Sequence, residues 1–346
     1  MTDEINMNSK TYSLGIIGVR GYVGKELLEL VLSHPLITID WVSSRQLEGQ
    51  LMSSLLDEKL VIDASDDCTI CSLNAEQVAT KTTDIVVLAL PNGLAEPFVK
   101  AIEKSTSSKV IIDLSADYRF DEQWVYSVPE LDHQSLEAER NSSLIKISNP
   151  GCYATAMQLA IAPIKHLLSA PAHCFGVSGY SGAGTKPSEF NDVDNLKDNL
   201  IGYKLVEHLH EKEVSTRMQQ AVSFSPHVAD FFRGINMTIQ LDFTEKHSRE
   251  ELFQYFEKYY QHFPLVKCQL QTPVIKQVVN TNNCIIGGIT LSDDGKRATV
   301  ISCLDNLLKG AASQALQNIN IALGLDPYLA ISQSNTENNL STAGES

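Results

Sequence analysis

The segment Ser148-Asn149-Pro-Gly-Cys152-Tyr-Ala-Thr-Ala places a thiol where a helix is expected to begin. A helix N-terminus offers free N–H groups and a favourable dipole, which lower a thiol pKa and favour the nucleophilic thiolate. The same N–H groups can hold an oxyanion that forms on attack. A small buried cysteine would read alike. A hydride donor nearby would separate the two, because thiolate plus nicotinamide is the chemistry of aldehyde–acyl interconversion.

Such a donor has a candidate seat. Gly18-Val-Arg20-Gly21-Tyr22-Val23-Gly24 follows an apolar run and opens a helical pattern. Glycines let the backbone turn sharply and approach a pyrophosphate, and the helix N-terminus receives the anion. The spacing is G-x-x-G-x-x-G rather than G-x-G-x-x-G, and a tight turn with nothing bound is the alternative. The next strand ends in Trp41-Val-Ser43-Ser44-Arg45, where an NAD enzyme usually carries a carboxylate for the ribose. Hydroxyls and a cation suit a 2′-phosphate, so NADP is expected over NAD. An exposed loop arginine is the plainer alternative.

Nine histidines supply candidate acids and bases. In Glu207-His208-Leu-His210-Glu-Lys-Glu213, two imidazoles stand near carboxylates. If the segment is helical, positions i and i+2 do not share a face, so one of the two is expected to enter a cleft. A neutral imidazole near pH 7 can take and return a proton. His227 is a further candidate, and Arg233 could hold an anionic substrate group. The loop Gly179-Tyr-Ser-Gly182-Ala-Gly184-Thr-Lys186 could bind phosphate or carboxylate through its amides, Ser181 and Lys186. A flexible connection is the alternative. Cys68-Thr-Ile-Cys71 has the spacing of a zinc or redox pair, but no second pair or nearby histidine completes it, so no metal is expected.

These groups need two kinds of scaffold. Apolar strands at Tyr12–Gly18, Leu36–Ser43, Asp84–Leu90 and Lys109–Leu114 alternate with helical patterns at Gly21–Ser33 and Ala95–Lys104. That alternation predicts α/β architecture with a parallel, doubly wound sheet. A helix is predicted over Tyr153–Leu168. Beyond it, strand-like runs at Phe175–Val177, Ala221–Phe224, Gly234–Leu241, Ile285–Leu291 and Arg297–Cys303 have fewer crossover helices, which predicts a mixed α+β domain. Glu250–His262 and Asn306–Leu323 read as helices. The polar ends, residues 1–11 and 332–346, are expected to be disordered.

The chain of 346 residues has 27 basic and 42 acidic side chains, a net charge of −15, with no local basic patch. Nucleic acid and phospholipid surfaces are therefore not expected partners. The apolar runs are far shorter than the roughly 20 residues that span a bilayer. Seven cysteines are too few for a disulfide scaffold, and the N-terminus does not look like a leader, so a cytoplasmic protein is expected.

Several segments together resemble the N-acetyl-gamma-glutamyl-phosphate reductase family of arginine biosynthesis. They are Gly18–Gly24, Leu114-Ser115-Ala-Asp-Tyr-Arg119, Ser148–Tyr153, Ser178–Lys186, His208–Glu213 and Asp305-Asn306-Leu-Leu-Lys-Gly310, in family order. S-G-Y-S-G-A-G-T-K-P with H-L-H-E-K-E-V is most similar to the branch found as the reductase part of a fungal bifunctional precursor. Leu209 and Lys212 stand where the commoner bacterial form has arginine and proline, and Ala154 where many relatives have proline.

The resemblance implies a Rossmann-type dinucleotide domain over residues 12–151, joined by a C-terminal helix within 306–330. It implies a catalytic domain over 152–305, related to glyceraldehyde-3-phosphate dehydrogenase. Cys152 would be the nucleophile and His210 the acid/base, with His208 the alternative. Asn149 and Glu213 would help place substrate, and Ser115 and Arg119 lie in a substrate-side segment. Asn306 would approach the nicotinamide, while Gly182–Lys186 would border cofactor and phosphate. The substrate would be a small acyl phosphate, and the assembly a homodimer or homotetramer. The same chemistry on aspartyl or N-acetyl-aminoadipyl phosphate, or a non-catalytic NADP-sensing relative, stays open on the residues.

Overall fold

A computed structural model describes residues 10–56, 62–64, 66–105 and 107–331. The disorder expected at the two ends falls, apart from residues 10 and 11, outside these residues.

Six strands form the first sheet: β1 (Tyr12–Ile17), β2 (Ile37–Ser43), β3 (Ile85–Leu88), β4 (Val110–Asp113), β5 (Val125–Tyr126) and β6 (Ile145–Ser148). Their order is β2-β1-β3-β4-β6-β5, and every pair is parallel. Four of its helices are α1 (Tyr22–Leu32), α2 (Ala75–Ala79), α3 (Glu96–Lys104) and α4 (Pro129–Ala138). Burial on both faces explains why β3 and β4 are continuous apolar runs ending in one acid, Asp113. The chain leaves β1 toward β2 and returns on the other side to β3. The carboxyl ends of β1 and β3 thus flank the point where strand order reverses, the place where open α/β sheets bind ligands.

The second sheet is mixed. It contains β7 (Ala172–Gly179), β8 (Leu200–Gly202), β9 (Val222–Ala229), β10 (Ile235–Asp242), β11 (Val266–Gln269), β12 (Cys284–Leu291) and β13 (Arg297–Leu304). Their order is β11-β12-β13-β10-β7-β9-β8. Buried and half-buried positions alternate along β9 and β10, as expected where one face meets a core and the other does not. Helices α5 (Cys152–Ile161), α7 (Leu209–Met218) and α8 (Arg249–Tyr260) contribute to that core; α6 (Val193–Leu196) is a single turn nearby in sequence.

Two predicted helices are broken. The one over Tyr153–Leu168 stops at Ile161 and tightens to a 3-10 helix at Ala162–Leu167, where Pro163 cannot donate an α-helical bond. The one over Asn306–Leu323 is a π-turn at Leu308–Ala312 followed by α9 (Ser313–Leu323). Every residue of α9 is buried, and its apolar side packs in the core of the first sheet with Leu14, Ile16 and Leu27.

Candidate active site

Gly18 sits at the reversal point with φ of +90°, and a Cβ there would overlap the carbonyl of Ala89 just after β3. No other residue fits that turn without moving β3. Gly24 is nearly as constrained, since its added Cβ would lie 2.8 Å from the Gly18 carbonyl. Gly21 caps α1 with no side-chain bond, and no acid occupies the first turn, so the helix N-terminus is open to an anion. Val23 packs toward the core, and Tyr22 meets Phe232 edge-on at 5.2 Å. Arg20 is exposed and donates to Thr185 Oγ1 at 3.0 Å, joining this turn to the second glycine-rich loop.

At the end of β2 the three expected phosphate ligands part company. Ser43 is buried: its hydroxyl accepts from Leu73 N, and its carbonyl accepts from Gly18 N. Its hydroxyl is thus already engaged with the chain after β2. Ser44 is buried and ties its N–H to Cys71. Arg45 is exposed and makes no hydrogen bond or ion pair among the described residues. Cys68 Sγ lies 3.9 Å from Met52 Sδ, and among the described residues no three metal-ligating side chains converge.

Cys152 is the first residue of α5 and is partly exposed. The turn before it is held from two sides. Glu213, fully buried on α7, accepts from Gly151 N at 2.9 Å, from Tyr126 Oη at 2.8 Å and from Arg119 Nη1 at 2.9 Å. Arg119 also donates through Nε to the Asn149 carbonyl. On the other side, the Asn149 side chain donates to Ala311 O and accepts from Asn318 Nδ2. The Asn149 amide is thereby engaged with the π-turn and α9.

His208 caps α7, its Nδ1 accepting from His210 N, so it is not helical and the i, i+2 argument does not apply. The two rings lie 4.9 Å apart. His208 packs against Tyr203 and Phe224. His210 projects over the turn before Cys152: a Cβ on Gly151 would overlap His210 Nε2 and lie 2.6 Å from Arg119 Nη1. His227 faces Phe175 instead, and its carbonyl accepts from Tyr153 Oη.

Charge in this site is governed by burial. Desolvation pushes the Cys152 thiol up to about 11, against the Tyr153 N–H and Arg119, which favour the thiolate. The N–H groups at the helix start lower the thiol as expected, but burial outweighs them. Burial holds His208 down at about 4, with Lys204 adding repulsion. Burial, then Arg119 and His208, holds His210 well below the usual imidazole range. Thiol and imidazole are therefore both neutral near pH 7. A neutral imidazole has a lone pair free to accept a proton, although burial weakens it as a base.

The remaining candidates frame the cleft. Asn306 accepts from Gly234 N at 2.7 Å and donates to Ser181 Oγ at 2.9 Å, beside Gly182. Ser115 is buried, bonded to Asp113, whose carboxyl burial pushes up to about 6. Lys186 is exposed. Arg233 is already engaged, with Nη1 on Glu26 at 2.8 Å and Nη2 on Asp305 at 3.0 Å. It ties α1 to the end of β13. Sequence reading missed Tyr126, Gln158 and Tyr203. Gln158 donates to Tyr126 Oη, and no local pattern marks partners 32 residues apart.

Comparison with known proteins agrees with this layout. Residues 13–139 match the family model for the semialdehyde dehydrogenase NAD binding domain, and 152–306 that for the semialdehyde dehydrogenase dimerisation domain. An N-acetyl-gamma-glutamyl-phosphate reductase from Stenotrophomonas maltophilia is 48% identical over 94% of this chain and 99% of its own length. One from Xanthomonas campestris is 46% identical over 94% and 100%. Among solved structures, aspartate semialdehyde dehydrogenase II from Vibrio cholerae, complexed with ASA, superimposes with a TM-score of 0.73 at 15% identity, covering 91% of this chain and 99% of that one. The Candida albicans aspartate semialdehyde dehydrogenase with NADP gives 0.68 at 13%, over 91% and 99%. At such identities the structures speak for the fold, while the two reductases carry the assignment: the chain belongs to the N-acetyl-gamma-glutamyl-phosphate reductase family.

Proposed function

We propose that this chain reduces N-acetyl-gamma-glutamyl phosphate to N-acetyl-glutamate 5-semialdehyde with release of phosphate, through a thioester on Cys152. The observation that carries the reading is the convergence of His210 Nε2 and the Arg119 guanidinium on Gly151, directly before a cysteine at a helix start. His210 takes the thiol proton as sulfur attacks the acyl carbon, and the carbon–oxygen bond to phosphate breaks. The N–H groups at the start of α5 face the oxyanion that forms on attack. Glu213 and Arg119 hold the turn still. When the thiohemiacetal collapses, sulfur leaves and His210 supplies the proton it took.

The cofactor reading is NADP. Gly18, Gly21 and Gly24 would admit its pyrophosphate, and Arg45 its 2′-phosphate. The uncapped, acid-free N-terminus of α1 and the exposed guanidinium of Arg45, which has no partner among the described residues, support that fit. When bound, NADPH supplies the hydride. Among the described residues no helix is long and apolar enough to cross a membrane. We place the enzyme in the cytoplasm as a homodimer or homotetramer, with light scattering the check on its mass.

The test is turnover of the semialdehyde with phosphate and NADP. Cys152→Ala abolishes it while NADP still quenches intrinsic fluorescence with parental affinity. Near-parental turnover in Cys152→Ala removes the nucleophile assignment. Running the aspartate and N-acetyl-aminoadipate semialdehydes alongside decides the acyl chain.

A further inference from the structure

Lys309 and Glu130 form an ion pair with no solvent exposure on either side chain. Lys309 Nζ lies 2.6 Å from Glu130 Oε1 and 3.0 Å from Gln317 Oε1, and Gln317 Nε2 donates to the same Glu130 oxygen at 3.2 Å. Glu130 Oε2 has no hydrogen-bond partner among the described residues. Such a pair is a poor way to gain stability: removing two charges from water costs about as much as their attraction returns, and an incompletely bonded carboxylate returns less. An apolar pair would hold α4 to the chain at least as well.

What the pair does hold is a specific turn. Lys309 lies in the π-turn Leu308–Ala312, a wide helical form found often at functional sites. The next residue, Gly310, presses on the nucleophile, since a Cβ there would lie 2.7 Å from Cys152 Cβ. The residue after that, Ala311, offers the carbonyl that accepts from Asn149 Nδ2 at 3.2 Å. Three consecutive residues thus carry the anchor, the contact with Cys152 and the clasp on the catalytic turn. A shift of the ammonium moves the other two with it.

We propose that Lys309 and Glu130 are positioning residues for Cys152, fixing the π-turn that sets the height of the sulfur in the cleft. This rests on Cys152 being the nucleophile. Neither side chain touches the cleft, so the pair acts through Gly310 and Asn149. Misplacement of a reacting atom by about 1 Å can cost a hundredfold in rate.

The test is the double variant Glu130→Gln with Lys309→Met. The introduced amide and that of Gln317 can then bond reciprocally, so no buried charge is stranded. The expected result is an unchanged or raised urea midpoint, kcat lowered tenfold or more, semialdehyde KM within threefold, and iodoacetamide labelling of Cys152 altered at least threefold at every pH. Gly310→Ala disturbs the same contact from outside the pair and lowers kcat similarly. Parental kcat and labelling in the folded double variant overturn the proposal. So does a large fall in its urea midpoint, which makes the pair a stability element, and so does parental kcat in Gly310→Ala. Turnover retained by Cys152→Ala instead overturns the nucleophile reading, a separate failure.

Discussion

Glu213 accepts a hydrogen bond from the backbone N–H of Gly151 at 2.9 Å, one residue before the candidate nucleophile. The same carboxylate is the counter-ion of buried Arg119. Glu213→Gln keeps the shape but strands that guanidinium. Breaking a buried pair costs about 3–5 kcal/mol, so the urea-unfolding free energy falls by that order. We expect kcat to fall at least tenfold with it, because the single amide oxygen cannot serve both Gly151 N and Arg119, and the turn is held less firmly. Parental kcat in a destabilised protein would separate Glu213 from the chemistry.

Gly151→Ala tests how closely His210 approaches the turn. The backbone at Gly151, with φ −73° and ψ 152°, accepts alanine without strain. The added methyl nevertheless meets His210 and Arg119. Activity is expected to fall about a hundredfold or more, with modest loss of stability. Alanine carrying more than a third of parental kcat/KM means the imidazole stands farther off than described.

Acid stability depends on the unprotonated histidines. His208 is held at about 4 against an ordinary 6.5, so the unfolded chain binds its proton first. The stability it contributes is complete above about 6.5 and drains away as pH falls toward about 4. One proton corresponds to about 1.4 kcal/mol per pH unit in that window. Asp113, pushed up to about 6, works in the opposite sense as pH falls. His208→Asn keeps an N-cap acceptor and removes the imidazole. Urea midpoints of parent and variant from pH 7.5 to 4.5 should differ in slope by that one proton; parallel curves reject the assignment.

Arg45→Asp addresses the coenzyme. Arg45 is the exposed cation at the end of β2, where a 2′-phosphate would lie, and it has no partner among the described residues. KM for NADP should rise tenfold or more, and KM for NAD less than threefold. Equal rises would remove Arg45 from recognition of the phosphate.

Arg233→Gln reads out the link between Glu26 and Asp305. Asp305 is fully buried, and loss of its cation should cost about 3 kcal/mol in urea unfolding. Semialdehyde KM should stay within threefold. A large rise in KM with an unmoved urea midpoint would return Arg233 to the substrate.

The parallel sheet was legible because its strands are short apolar runs spaced by helical patterns, and β1, β2 and β3 lie within a residue or two of expectation. The Gly18 turn and the start of α5 were legible for a related reason: glycine, proline and helix boundaries act locally. The two-residue β5 left no signal, and neither did the π-turn, whose sequence reads as ordinary helix. Side-chain commitments were the hardest to read. Ser43, Asn149 and Arg233 look available in sequence, yet each is bonded to partners 30 to 207 residues away. The thiol followed the same pattern. The helix dipole that favours thiolate can be read from eight residues, whereas the burial that opposes it is assembled by the whole fold.

The clasp between Asn149 and Ala311 spans 162 positions of sequence. A ribosome that has made Cys152 has therefore built the sulfur without its setting, since the π-turn and α9 are still to come. The thiol acquires its fixed surroundings, including the burial that opposes its ionisation, only when the C-terminal helix docks onto the first sheet.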